Sequence, residues 1–185
     1  IGWFTHRNGG VGLQHPGGTL AAHLDRVGDM LRGWGETPAV VDAGRLHAAY
    51  GTDGFATPVA VGSGREPVVS IVGQEAERLI HLYCLCDRRA SYPSWSAPHP
   101  QLVDRHTGEA TALDDATRRA LVVMTIANEI DVLSHDAALA KTHGNSLAAL
   151  FASWRPHISE SASVGLDRWC GEFVKEPPLG GVSKD

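Results

Sequence analysis

Residues 113–137, LDDATRRALVVMTIANEIDVLSHDA, keep an apolar period of three to four residues along their whole length, the signature of a helix. This narrows the fold sharply, because the other periodic segments share that period. A first helix is expected over Thr19–Trp34, with Thr19 as N-cap, Gly35 as stop, and Leu20, Leu24, Val27 and Leu31 as its apolar stripe. A second is expected from Pro38, which fits the first helical position behind the cap Thr37, to Gly51. REPVVSIVG (65–73) and QEAERLIHLYCLC (74–86) read as two further helices, and segments near 145–154 and 158–175 close the chain. TDGFATPVAVGSG (52–64) and the polar stretch 87–112 read as loops, the latter long enough to be functional or mobile. No segment reads as a strand. The expectation is an all-α class, one helical domain of about six to seven helices over residues 15–175, with a glycine-rich flexible arm at 1–14 and a disordered tail at 176–185.

The chain has 185 residues, enough for one sizeable core. Its net charge of −5 and the lack of any basic run argue against a nucleic-acid binder. No apolar run is long enough to span a membrane. IGWFTHRNGG does not read as a signal peptide. Cys84, Cys86 and Cys170 have no framework spacing, which suits reduced thiols and a cytoplasmic chain. In a continuous helix Cys84 and Cys86 would point about 200° apart, so they are expected to pack in the core rather than share a metal.

The informative residues are polar groups on apolar faces. His23 lies in TLAAHLDRVGDML, and His47 shares a face with Val40 and Ala43. On the long helix the stripe Leu121, Met124, Asn128, Asp131, His135 puts Asn128 and Asp131 on one side, one turn apart. An unpaired buried polar group costs about 1–3 kcal/mol, so several in one core are expected to satisfy each other or hold an ion. Two imidazoles and a carboxylate are a common open set for zinc or non-haem iron. His15 opens HPGGTL, whose Gly17 and Gly18 would let backbone amides approach an anion at a helix start, or would simply make a turn. Tyr50, Thr52 and Asp53 follow His47, and Asp87 and Arg88 follow the fourth helix; these would line the mouth of a site or serve as cap, turn and surface-pair residues. His99 and His106 lie in the long loop. There is no phosphate-binding P-loop, dinucleotide glycine fingerprint, CxxC pair or GxSxG elbow.

HLDRVGDML, LHAAYG, EAERLIHLYCLC and IANEIDVL, over roughly residues 15–136, resemble the HD-domain superfamily, with a likeness to its alarmone-hydrolase and oxygenase members. HPGGTL and HAAYGT are also similar to a narrower bacterial subgroup. The resemblance implies an HD-like all-α fold in which a first-helix His, a His-Asp pair and a later Asp bind metal. Carried over, His23 and His47 would be ligands, with Asn128 or Asp131 at the later position. Two departures matter. Ala48 stands where the Asp of the His-Asp pair belongs, and Gly51 and Thr52 replace a Glu-Asp pair. The expected cofactor is therefore at most one divalent metal, iron or zinc.

The function expected is a small-molecule enzyme with an HD-like pocket. Its metal, on His23, His47 and Asn128 or Asp131, would activate water in a hydrolase or dioxygen in an oxygenase, with His23, His47, Tyr50 and Asp131 as catalytic groups. His15, Thr52, Asp53, Asp87 and Arg88 would bind substrate. One alternative is a metal-free lyase or cyclase using the same histidines as acid and base. Another is a non-catalytic HD-like module that binds a ligand or a partner.

Overall fold

The structure is a computed structural model, and it describes residues 13–53 and 64–173. Most of the expected arm, most of the first loop and the tail lie outside those residues. The described chain is mostly α-helical, with seven α-helices: α1 Leu20–Gly33, α2 Pro38–Arg45, α3 Glu66–Leu85, α4 Arg88–Ser91, α5 Asp115–His135, α6 Ala137–Trp154 and α7 Glu160–Phe173.

The caps read from sequence are in place. The Thr19 and Thr37 side chains accept from Ala22 N and Val40 N, and Pro38 opens α2. Gly73, at φ 80° and ψ 168°, breaks the helical path inside α3, so residues 66–85 are two helical segments meeting at a kink. Only glycine tolerates that φ cheaply. α5 forms the centre. Every residue from Ala120 to Asn128 is buried, as expected of a helix covered on all sides. α1 and α2 pack on each other, α1 also packs along α5, and α3 lies against α2.

Three expectations are corrected. Two short antiparallel hairpins occur, β1 Gln14–His15 with β2 Gly18–Thr19, and β3 Gln101–Val103 with β4 Ala110–Ala112. Strands of two or three residues carry too little alternation to be read. The stretch 87–112 is not a bare loop: it holds α4 and the β3–β4 hairpin, tied to the end of α3 through Asp87 N to Val103 O and Arg105 N to Leu85 O, with Trp95 fully buried. Cys86 has left the helix and bridges Asp104 in extended conformation. Finally, α2 ends at Arg45 rather than Gly51. The His47 ring explains this: its Nδ1 donates to Gly44 O at 2.7 Å, taking a carbonyl that the next helical turn would use.

α1 and α2 touch closely at Gly44, where an added Cβ would stand 2.2 Å from Leu31 Cδ1. Leu31 is fully buried, so it has no room to yield. Gly44→Ala is therefore expected to lose about 1–3 kcal/mol in urea denaturation and to displace His47. Unchanged stability would show that the α1–α2 contact is looser than this.

Candidate functional site

Three elements bring the polar groups together. α1 supplies His23 and Arg26, the turn after α2 supplies His47, and α5 supplies Asn128 and Asp131. His23 is fully buried, and His47, Asn128 and Asp131 are nearly so. His23 Nδ1 donates to Asp131 Oδ2 at 2.7 Å. Its Nε2 lies 3.4 Å from His47 Nε2 and 3.1 Å from Asn128 Oδ1. Asn128 and Asp131 thus reach opposite edges of one imidazole. His15, on β1, stacks on the same ring at 4.0 Å between centroids.

Arg26 was not singled out from sequence, yet it anchors the cluster. Its Nε and Nη2 bond the two Asp131 oxygens at 2.6 and 2.9 Å. It also donates to the Pro16 and Gly17 carbonyls, fastening the β1–β2 turn over the site. At Gly17, φ 79°, a Cβ would meet His135 at 2.5 Å and Arg26 at 2.8 Å. HPGG is therefore a hairpin turn. The amides of Leu20 and Ala22 at the start of α1 are already bonded, to Leu13 O and the Thr19 hydroxyl, which leaves the anion reading without those donors.

Electrostatics fix the proton positions. Burial works to raise the Asp131 carboxyl, but the bonds from His23 and Arg26 outweigh it and bring its pKa down to about 2. Burial, then the nearby His23, brings His47 down to about 3 and His15 to about 4. Asp131 is thus an anion and His47 a neutral ring at neutral pH. His23 Nδ1 must carry a hydrogen for Asp131, and His47 Nδ1 one for the Gly44 carbonyl. Asn128 Nδ2 donates to Glu129 Oε1 at 3.1 Å, which assigns Oδ1 to the side facing His23. Both Nε2 atoms and Oδ1 then meet at one point, and with His23 in its neutral tautomer all three are acceptors.

Above them opens a cavity of about 500 Å³, within the range of small-molecule sites. Its polar lining includes His15, His47, Thr52, Arg88, Asn128 and Glu129. Arg88 Nη1 pairs with Glu129 Oε1 at 2.7 Å, and these are the lining's guanidinium and its carboxylate.

The structure therefore unites His15, His23, His47, Asn128, Asp131, Thr52 and Arg88. Tyr50 goes elsewhere. Its hydroxyl donates to Glu77, which Arg65 also holds, and burial beside Glu77 raises the phenol. Asp53 is exposed and accepts from Arg88 N at 3.2 Å, while Asp87 caps α4 through Ala90 N. Neither lines the cavity. His99 and His106 are exposed and also absent from the lining. Sequence reading missed Arg26, which follows His23 by three residues on a helix, and Glu129, which follows Asn128.

The donor set admits one cation but is not a rich one. Among the described residues no three His, Cys, Asp or Glu side chains converge as a metal site. The third group is an amide, and Asp131 is committed to His23 and Arg26. Two imidazoles facing an amide oxygen at these separations still fit a single divalent ion, and both outer nitrogens are oriented by acceptors, as ligating histidines usually are.

A family model described as a domain of unknown function (DUF6817) matches residues 4–88, a little under half of the chain. That span contains His15, His23, Arg26, His47 and Arg88 but none of the α5 residues. No curated protein and no solved structure matches the chain.

Proposed function

We propose that the chain is a small-molecule enzyme with an HD-like pocket, centred on one divalent metal ion held by His23 Nε2, His47 Nε2 and Asn128 Oδ1. The observation that supports this reading is the convergence of His47 Nε2 and Asn128 Oδ1 on His23 Nε2, at 3.4 and 3.1 Å, which with His23 in its neutral tautomer makes three buried acceptors with no donor between them. Acceptors turned on one another repel, and an unsatisfied buried group costs about 1–3 kcal/mol. A cation removes both costs. Bound there, such an ion supplies the Lewis acidity that activates water.

The chain's own residues do the rest. Asp131 and the Gly44 carbonyl lock the imidazoles in the tautomer that leaves Nε2 bare. Arg26 holds Asp131, and the β1–β2 turn covers the ring of His23. Arg88 offers a guanidinium to an anionic group of a molecule in the cavity, and Glu129 is the lining carboxylate able to take a proton from it. Because Asp131 is taken, the site lacks the carboxylate of the two-histidine, one-carboxylate set of iron oxygenases. That favours a hydrolase over an oxygenase, and zinc over iron.

A second reading keeps one observation in its favour: 3.4 Å between the Nε2 atoms also suits a shared proton. The Asp131–His23–His47 chain would then serve acid–base chemistry, as in a lyase or cyclase. The free thiols of Cys84, Cys86 and Cys170 support a reducing compartment, so we place the activity in the cytoplasm. Among the described residues no helix is long and apolar enough to cross a membrane.

Elemental analysis of chain purified without chelator separates the readings. The expected result is about one divalent ion per chain, falling to background in His23→Ala and in His47→Ala. Two ions per chain would overturn the single-ion site. No ion, and no calorimetric binding of zinc, would transfer the proposal to acid–base chemistry.

A further inference from the structure

Asn128 can present either of two atoms to His23, and the choice decides what the site binds. With Oδ1 inward and His23 in its neutral tautomer, the centre holds acceptors only and attracts a cation. With Nδ2 inward, an N–H would occupy the lone pair of His23 Nε2, and the centre would be satisfied from within. The two orientations have the same shape, so packing cannot choose between them. The choice must come from the other end of the amide.

At that end stands Glu129. Its Oε1 accepts from Asn128 Nδ2 at 3.1 Å and from Arg88 Nη1 at 2.7 Å. A carboxylate accepts and cannot donate, so turning Asn128 over would set its oxygen against a carboxylate oxygen. Arg88 holds Glu129 in register. The Glu129 side chain is 12 % exposed and that of Arg88 24 %, so their bond is only partly screened by solvent. The cluster thus runs without a break from Arg26 through Asp131, His23, Asn128 and Glu129 to Arg88, with an arginine–carboxylate pair at each end.

From this we infer that Glu129, held by Arg88, is a positioning residue: it fixes the orientation of Asn128 and so makes the His23–His47 centre a cation site. The inference rests on the cation reading given above for its effect on metal. The orientation it assigns to the amide stands without that reading. In orienting Asn128, Glu129 acts through acceptance, so for this role its charge matters less than its oxygen.

The test compares Glu129→Ala with Glu129→Gln. Alanine removes the acceptor and frees the amide to turn. Glutamine keeps an oxygen able to accept from both Asn128 and Arg88. Zinc titration by calorimetry is expected to show about a 10–100-fold loss of affinity in Glu129→Ala, the range typical when an outer partner of a metal site is removed. Most of that loss should be restored in Glu129→Gln. The imidazole ¹⁵N resonances, recorded without metal, provide a second readout that general loosening would not mimic. In Glu129→Ala the Nε2 of His23 should shift as it gains a donor, while the Nδ1 signal bonded to Asp131 stays. Equal zinc affinity with unchanged ¹⁵N signals in Glu129→Ala would overturn the inference, as would equal losses in both variants. If the unaltered chain binds no zinc, the cation reading fails, and the ¹⁵N comparison alone still decides whether Glu129 orients Asn128.

Discussion

Asp131→Ala is expected to lose about 3 kcal/mol of stability, the lower end of the range for breaking a buried ion pair. Asp131 is 2 % exposed and serves three donors, two from Arg26 and one from His23. Removing it strands the His23 Nδ1–H, which is fully buried, and deprives Arg26 of its carboxylate partner, leaving it the Pro16 and Gly17 carbonyls. Arg26 is 30 % exposed in its side chain and can recover some hydration, which keeps the loss from the top of the range. Urea denaturation should show a lower midpoint at unchanged slope. The Arg26→Ala/Asp131→Ala double variant should cost less than the sum of the two singles, because each single leaves a group that the other variant removes. A loss under about 1 kcal/mol for Asp131→Ala would mean that solvent replaces these bonds, and that Asp131 does not hold the tautomer of His23.

The helices were legible because their signals are local: a cap, a glycine stop, an apolar residue every third or fourth position. The side of α5 carrying Asn128 and Asp131 was legible for the same reason. What the stripe could not reveal is that these residues divide the work. From sequence they competed for one role; in the fold they bond opposite edges of the same ring, which depends on how deeply α1 seats against α5. From sequence, Tyr50 and Asp53 are candidates because they follow His47 closely, and Asp87 because it follows the fourth helix. The chain leaves the helix at Leu46 and turns through Gly51, which sends the Tyr50 ring towards Glu77. Arg26 did carry a signal, a cation three residues after a buried histidine, within reach on one helix face. Glu129 carried none, since it lies about 100° around the helix from Asn128 and off the stripe. The cluster of Tyr92, Trp95, Phe151, Trp154 and Trp169, with ring centroids 4.8–6.3 Å apart in successive contacts, joins segments distant in sequence, and no local period announces such a contact.

Asn128→Asp should convert the weakest donor of the cation site into its strongest. An amide oxygen is a poor ligand for zinc or iron beside a carboxylate, so zinc affinity is expected to rise by about tenfold or more, equivalent to about 1.4 kcal/mol. The same substitution removes the Nδ2 donor from Glu129 and sets two carboxylates side by side, with only Arg88 to offset them. Without metal, the variant is therefore expected to be less stable than the unaltered chain by about 1 kcal/mol. With metal the order should reverse, because a ligand that binds only the folded state stabilises it in proportion to the logarithm of its affinity. Thermal melts with zinc and with chelator would show the curves crossing, and the crossing should vanish when His47→Ala is added. The acid–base reading makes a different prediction for the same protein. An aspartate at position 128 would stabilise a proton on His23 Nε2, giving a more stable chain in chelator and no response to zinc. A variant weaker than the original under both conditions would support neither, and would leave Asn128 as a structural partner of His23 alone.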